Sequence, residues 1–243
     1  MRTFYQPLIT LFLFITLHNL QAQKWFSKSV NGNGNKTTKV IQTQDYDIIH
    51  ARGPIDIQLK KGKEGVVEVT TSENLHQYLE VESNGNRLEI RLKRGVDIRR
   101  NGHFIVTIPF ESLSEISLSG SGAIETLDTL QGNVLEVKLS GSGDIELDLQ
   151  TEKIDLEISG SGNIKLSGAS ENMNLNISGS ADCNGLGLDT QNTKIKISGS
   201  GEAKVVAHKT LIAKISGSGS IQYKGTPEKI NNMVSGSGTI KSL

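Results

Sequence analysis

The chain has 243 residues, and its 26 lysines and arginines are balanced by 26 aspartates and glutamates. That balance offers no overall field to draw in nucleic acid or an anionic membrane, so no nucleic-acid partner is expected. The one cysteine, Cys183, excludes an internal disulfide, which leaves a packed core and backbone ladders to supply stability.

The first residues read as an export signal. Arg2 precedes a short apolar run, Leu8 to Leu17, and the small residue Ala22 precedes Gln23. The run is shorter than the roughly 20 residues that span a bilayer. Cleavage after residue 22 is therefore expected, with an uncleaved anchor as the alternative. No cysteine stands near the cut to carry a lipid, and no second apolar run follows, so the mature chain is expected to lack a membrane span.

Residues 23–39 read as a flexible linker. They contain Asn31-Gly32-Asn33-Gly34-Asn35 and no apolar period, a composition that buries too little surface to fold alone. Trp25 and Phe26 are out of keeping with it. From residue 40 the pattern turns to strands. Ile55 to Leu59, Val67 to Val69, Leu79 to Val81 and Leu88 to Leu92 alternate apolar with polar side chains. Asn84-Gly85-Asn86 between the last two signals a hairpin. Glu73 to Tyr78 has the makings of one helical turn, and Pro109 should end a strand or lie on an edge. Residues 40–118 are expected to form irregular β coils that cap a solenoid, because terminal repeats are usually atypical.

The solenoid itself is written in a repeat over 119–243. Ser-Gly-Ser-Gly starts at Ser119, Ser140, Ser159, Ser178 (as SGSA), Ser198, Ser216 and Ser235, in steps of 21, 19, 19, 20, 18 and 19 residues. One place before each start stands Leu118, Leu139, Ile158, Ile177, Ile197, Ile215 or Val234. Three places before stands Ile116, Val137, Leu156, Leu175, Ile195 or Ala213, and five places after stands Ile124, Ile145, Ile164, Cys183, Ala203, Ile221 or Ile240. Seven places after, Leu147, Leu166, Val205 and Tyr223 continue the pattern. All these offsets are odd, so one face of a period-two strand carries them into a common core. The even offsets carry Ser, Lys, Glu, Asn and Gln outward.

The motif glycines should mark the corners: Gly120, Gly122, Gly141, Gly143, Gly160, Gly162, Gly179, Gly199, Gly201, Gly217, Gly219, Gly236 and Gly238. A corner needs a positive φ or an absent side chain, and glycine supplies both. Each unit is then strand, corner, strand and a polar return such as Leu149 to Lys153. About nineteen residues per coil fits an all-β fold, a three-walled, right-handed, single-stranded parallel β-helix. An antiparallel propeller or sandwich is the alternative, although a propeller blade usually needs about 40 residues.

These units, for example Ile158-Ser-Gly-Ser-Gly-Asn-Ile164, resemble those of the DUF2807 family, also called putative auto-transporter adhesin, head GIN domain. Tyr223-Lys-Gly-Thr-Pro227 and the approach Val106-Thr-Ile-Pro109 add to the resemblance, which covers about Tyr46 to the C-terminus. It implies a right-handed β-helix in exported proteins, largely of Bacteroidetes-type bacteria, and no established activity.

The residues themselves offer little chemistry. His50, His76, His103 and His208 are scattered without metal spacing and read as surface histidines. Cys183 takes a core isoleucine's place and reads as a small buried hydrophobe. Glu125, Asp144, Glu146 and Asp148 fall on one wall and are the best carboxylates for an enzyme. Opposite charges on adjacent coils, Glu146 with Lys165 and Lys138 with Glu157, make a charge-balanced wall the simpler reading. The residue after each motif forms no aspartate ladder for calcium. Tyr223, the one aromatic after Ser119, points inward, which weakens sugar stacking. The outward serine columns could meet a polar surface or ice, but structural spacing accounts for them. The reading is a non-catalytic exported interaction module of the cell envelope or surface, without a cofactor or metal, whose partner is an envelope protein or a glycan. A polysaccharide-active enzyme and a purely structural envelope protein are the rivals.

Overall fold

The computed structural model describes residues 28–243, and the export signal, Trp25 and Phe26 lie outside the described residues. The strands before the repeat are β1 (Lys28–Val30), β2 (Lys36–Gln42), β3 (Ile48–Arg52), β4 (Asp56–Lys61), β5 (Val66–Ser72), β6 (Leu79–Asn84), β7 (Arg87–Leu92), β8 (Val96–Ile98) and β9 (Ile105–Phe110). Those of the repeat are β10 (Glu115–Gly120), β11 (Ala123–Thr126), β12 (Leu130–Gly141), β13 (Asp144–Gly160), β14 (Asn163–Gly179), β15 (Asp182–Gly199), β16 (Glu202–Val206), β17 (Thr210–Gly217), β18 (Ser220–Lys224), β19 (Lys229–Gly236) and β20 (Thr239–Ser242). One 18-stranded sheet, which takes in every strand but β1 and β8, winds into a β-solenoid of about 7 turns with about 19 residues per coil.

Two walls meet at the Ser-Gly-Ser-Gly corner. The wall before it stacks β10, β12, β13, β14, β15, β17 and β19 in parallel, with Ser119, Ser140, Ser159, Ser178, Ser198, Ser216 and Ser235 in one register column. The wall after it stacks β11, β13, β14, β15, β16, β18 and β20. The third side is more regular than a polar return. Leu149, Gln150 and Thr151 pair with Gly168, Ala169 and Ser170, so the ladder runs on through it. Leu149 and Leu188 are buried there, and Thr151 Oγ1 donates to Ser170 Oγ at 3.1 Å.

The odd-offset residues fill the interior as the alternation requires. Ile116, Val137, Leu156, Leu175 and Ile195 are at most 1 % exposed, as are Ile124, Ile145, Ile164 and Ala203. Tyr223 is half-buried against this core. Cys183 is buried, and burial together with the charge of Asp182 pushes its thiol up to about 12. A thiol reagent at neutral pH should therefore label Cys183 only after denaturation. Labelling of native protein at the rate of a small free thiol would overturn the register.

The N-terminal coils stack out of chain order. β3 lies between β7 and β10, and β4 lies between β9 and β11, all in parallel. The chain thus lays down one coil, turns back through antiparallel strands to build the coil outside it, and then crosses to begin the repeat. β6 closes one wall antiparallel to β7 through a turn in which Gly85 has φ 60°. β5 closes the other antiparallel to β9, with β2 beyond it. Antiparallel partners end the parallel ladder and satisfy its edge. Pro109 lies just past the residues of β9 that pair with β5, where the missing N–H breaks no ladder. The helical turn at Glu73–Tyr78 is a 3₁₀ helix.

The linker reading is corrected over residues 28–39. β1 pairs with β8, and β2 pairs with β5 along its length. The Asn-Gly run is held by partners distant in sequence rather than by its own burial. Asn33 N donates to Asn74 Oδ1 at 2.9 Å, Asn74 Nδ2 to Asn31 O at 2.9 Å, and Gly32 N to Arg100 O at 2.8 Å. A Cβ on Gly32 would lie 2.2 Å from the Asn101 carbonyl oxygen, so this contact needs glycine.

Candidate functional site

The two glycines of each corner differ in backbone conformation, although both are closely approached by the neighbouring coil. The first motif glycine carries the positive φ: 128° at Gly120, 118° at Gly141, 121° at Gly160, 118° at Gly179, 129° at Gly199 and Gly217, and 122° at Gly236. The second has no positive φ and needs only the room. A Cβ at Gly143 would lie 2.6 Å from Gly122 O, and one at Gly162 would lie 2.3 Å from Gly143 O. Gly122, Gly201, Gly219 and Gly238 meet similar backbone or side-chain atoms at 2.1–2.7 Å. Ala181 fills the second position in one coil and is fully buried. Each corner also passes a backbone bond to the next, as from Ser161 N to Gly141 O at 2.9 Å. The first glycines pair in register from Gly120 to Gly236, each next to a serine of the column.

Along that column runs a groove of about 880 Å³, lined from His50 and Arg52 through Ser119, Ser140, Ser159 and Ser178 to Lys196 and Ser198. The out-of-order coil of β3 brings His50 and Arg52 into register with Ser117 and Ser119. At this end Glu115 is largely enclosed. His50 Nε2 lies 2.9 Å from its Oε1, and Lys138 Nζ lies 3.3 Å away. Burial pushes the Glu115 carboxyl up, but the hydrogen bonds and charges of His50 and Lys138 outweigh it and hold it below the usual range. Lys138 also binds Glu136 at 2.9 Å, the chief cause of its raised pKa.

The expected charge pairs fare differently. Lys165 Nζ meets Glu146 at 2.7 Å. Lys138 stands opposite Glu157 in register but turns to Glu136 and Glu115. Two acids already flank it, one of them enclosed, and a flexible lysine takes the partners that need it most. The carboxylates considered for catalysis lie on the wall after the corner, outside the groove. Gln58 Nε2 donates to Glu125 at 2.9 Å, Asn163 Nδ2 to Asp144 at 2.8 Å, and Thr129 Oγ1 to Asp148 at 2.6 Å. The structure thus spreads them along a hydrogen-bonded wall, and among the described residues no histidine pairs with them. His103 pairs with Asp56 and His208 with Asp189, at 2.8 and 2.5 Å. His76 lies 3.0 Å from Thr37 Oγ1, and burial and Lys39 lower its pKa. Among the described residues no three His, Cys, Asp or Glu side chains gather to hold a metal, and no helix is long and apolar enough to cross a membrane.

Fold and corner together define a single-chain β-solenoid with a hydroxyl-lined groove along one edge. The chain belongs to the DUF2807 family, described as putative auto-transporter adhesin, head GIN domain, whose profile matches residues 45–227. The last coil, β19 and β20, lies past that match yet keeps the register. A putative adhesin from Bacteroides fragilis shares the fold, with TM-score 0.82 and 22% identity over 88% of this chain and 100% of its own. A putative lipid binding protein from Parabacteroides distasonis aligns with TM-score 0.75 and 29% identity, covering 89% of this chain and 100% of that one. A putative adhesin from the same species gives TM-score 0.73 and 28% identity, covering the same 89% and 100%. No curated protein matches the chain.

Proposed function

We propose that this protein is a non-catalytic, exported interaction module of the cell envelope or surface, adhesin-like, that holds an extended ligand in the groove beside its serine column. The observation that carries the reading is the groove itself, which follows one register column from Arg52 to Ser198 across successive coils. A ligand lying there meets an outward hydroxyl on each coil at intervals of about 4.8 Å. The family's description and the names of two similar structures support an adhesive role. The apolar run Leu8 to Leu17 behind Arg2 supports export.

Ser159 is exposed at the middle of the column. Ser159→Trp should fill the groove with little change in melting temperature, because surface substitutions usually stay within about 0.5 kcal/mol. A glycan array and envelope fractions, probed with both proteins, should show at least a tenfold loss of binding in the variant. Unchanged binding by a folded variant would move the function elsewhere on the solenoid.

A further inference from the structure

The balanced total charge hides a strong segregation along the axis. Residues 111–189 carry fourteen acids against three lysines, whereas residues 190–243 carry eight lysines against two acids. The boundary falls between Ser178 and Lys196, both of which line the groove. Upstream on this wall His50 and Lys138 are engaged with Glu115, Lys138 also with Glu136, and Lys153 with Asp155 at 2.7 Å, whereas Arg52 has no ion-pair partner among the described residues. Among the described residues, Lys194, Lys196 and Lys214 have no carboxylate within ion-pair distance, and all three are exposed. Lys196 stands directly opposite Lys214 on the next coil, with Lys194 two residues along the same strand. Like charges directly opposed in a ladder are destabilising. An acid at Asn176 or Lys214 would have relieved the repulsion, as Glu146 does for Lys165.

We infer that the groove takes a linear acidic polysaccharide, with its carboxylate or sulfate groups on Lys196 at the groove's end and on Lys194 and Lys214 beside it, and its sugar hydroxyls along the serine column. This rests on the groove reading above. The coil spacing of about 4.8 Å is close to the length of one sugar in an extended chain, so successive units meet successive serines. Arg52 offers a second cation at the opposite end. Glu157 is the one acid among the lining residues, and it sets the hydroxyl-binding middle apart from the anion-binding end. An anionic membrane fits less well. A groove along the solenoid axis follows a chain rather than a plane, and an interfacial anchor needs exposed rings beside its lysines. The one aromatic in these coils, Tyr223, is half-buried on the other wall.

The test uses the full chain against polygalacturonate, heparin, neutral dextran and phosphatidylglycerol vesicles. The unaltered protein should bind polygalacturonate or heparin, more weakly as salt rises, and should bind dextran at least tenfold more weakly. Lys196→Glu with Lys214→Glu should cut the acidic-glycan affinity by at least tenfold with the melting temperature nearly kept, and Lys196→Gln with Lys214→Gln by less. Equal binding by the Glu variant, or binding to the vesicles and to neither acidic glycan, overturns the inference. If Ser159→Trp abolishes envelope binding while the lysine variants leave it intact, the groove reading stands and the acidic ligand falls. If neither change alters binding, both fall.

Discussion

Ile164→Asp should yield no soluble folded protein, whereas Lys165→Asp, one residue on, should fold. Ile164 is 1 % exposed and stands between Ile145 and Cys183 on the adjacent coils. A carboxylate there has no partner and no water, at a cost of about 4 kcal/mol or more. That is a large share of the 5–15 kcal/mol that typically separates a folded domain from its unfolded chain. Each coil rests on its neighbours alone, so one unsupported rung disconnects the coils on either side. Lys165 faces water, with its side chain 62% exposed, and pairs with Glu146 at 2.7 Å. Losing that pair costs about 0–1 kcal/mol, and placing like charges opposite adds a similarly small amount. Soluble yield and a thermal melt followed by circular dichroism separate the two. Comparable outcomes would mean that the inward and outward faces have been exchanged.

The inward face was legible because the same alternation returns in every copy of the motif. Cys183 and Ala203 occupy isoleucine positions and are buried with the rest, although neither would mark a core by itself. The N-terminal stacking was not legible. β3 and β4 alternate like any strand, and alternation says which side faces inward without saying which strand lies next. Their insertion between β7 and β10 and between β9 and β11 is a choice among long-range partners. The Asn-Gly run looked unfoldable for the same reason, since Asn74 and Arg100 hold it from far along the chain. The groove was half legible. Its serine column is periodic and plain, but His50 and Arg52 reach it only through the displaced coil. The unpaired lysines could have been seen by reading outward columns for sign as well as for balance, because Lys196 and Lys214 share one offset.

Gly160→Ala should lower the melting temperature far more than Gly162→Ala, although both glycines belong to one corner. Gly160 has φ 121°, outside the range an alanine adopts without strain, and its Cβ would lie 2.3 Å from Gly141 O. That oxygen accepts the bond from Ser161 N at 2.9 Å, so it cannot withdraw without breaking the link between corners. Backbone strain of about 1–3 kcal/mol then adds to the collision and the strained bond, for a total of about 3 kcal/mol or more. Gly162 has no positive φ, and its obstruction is Gly143 O at 2.3 Å and a Leu139 methyl at 2.8 Å. The chain already shows that this position can yield. Ala181 occupies it in the next coil and keeps the corner's ladder, with Glu202 N donating to Ala181 O at 3.2 Å. In that same coil the first glycine, Gly179, is retained at φ 118°. Gly162→Ala should therefore cost only the overpacking term, about 1–3 kcal/mol, and remain soluble. Thermal melts of the two variants decide the matter. If Gly162→Ala proved the more damaging, close approach rather than backbone conformation would govern the corner, and the first glycine would be replaceable wherever its neighbour could move.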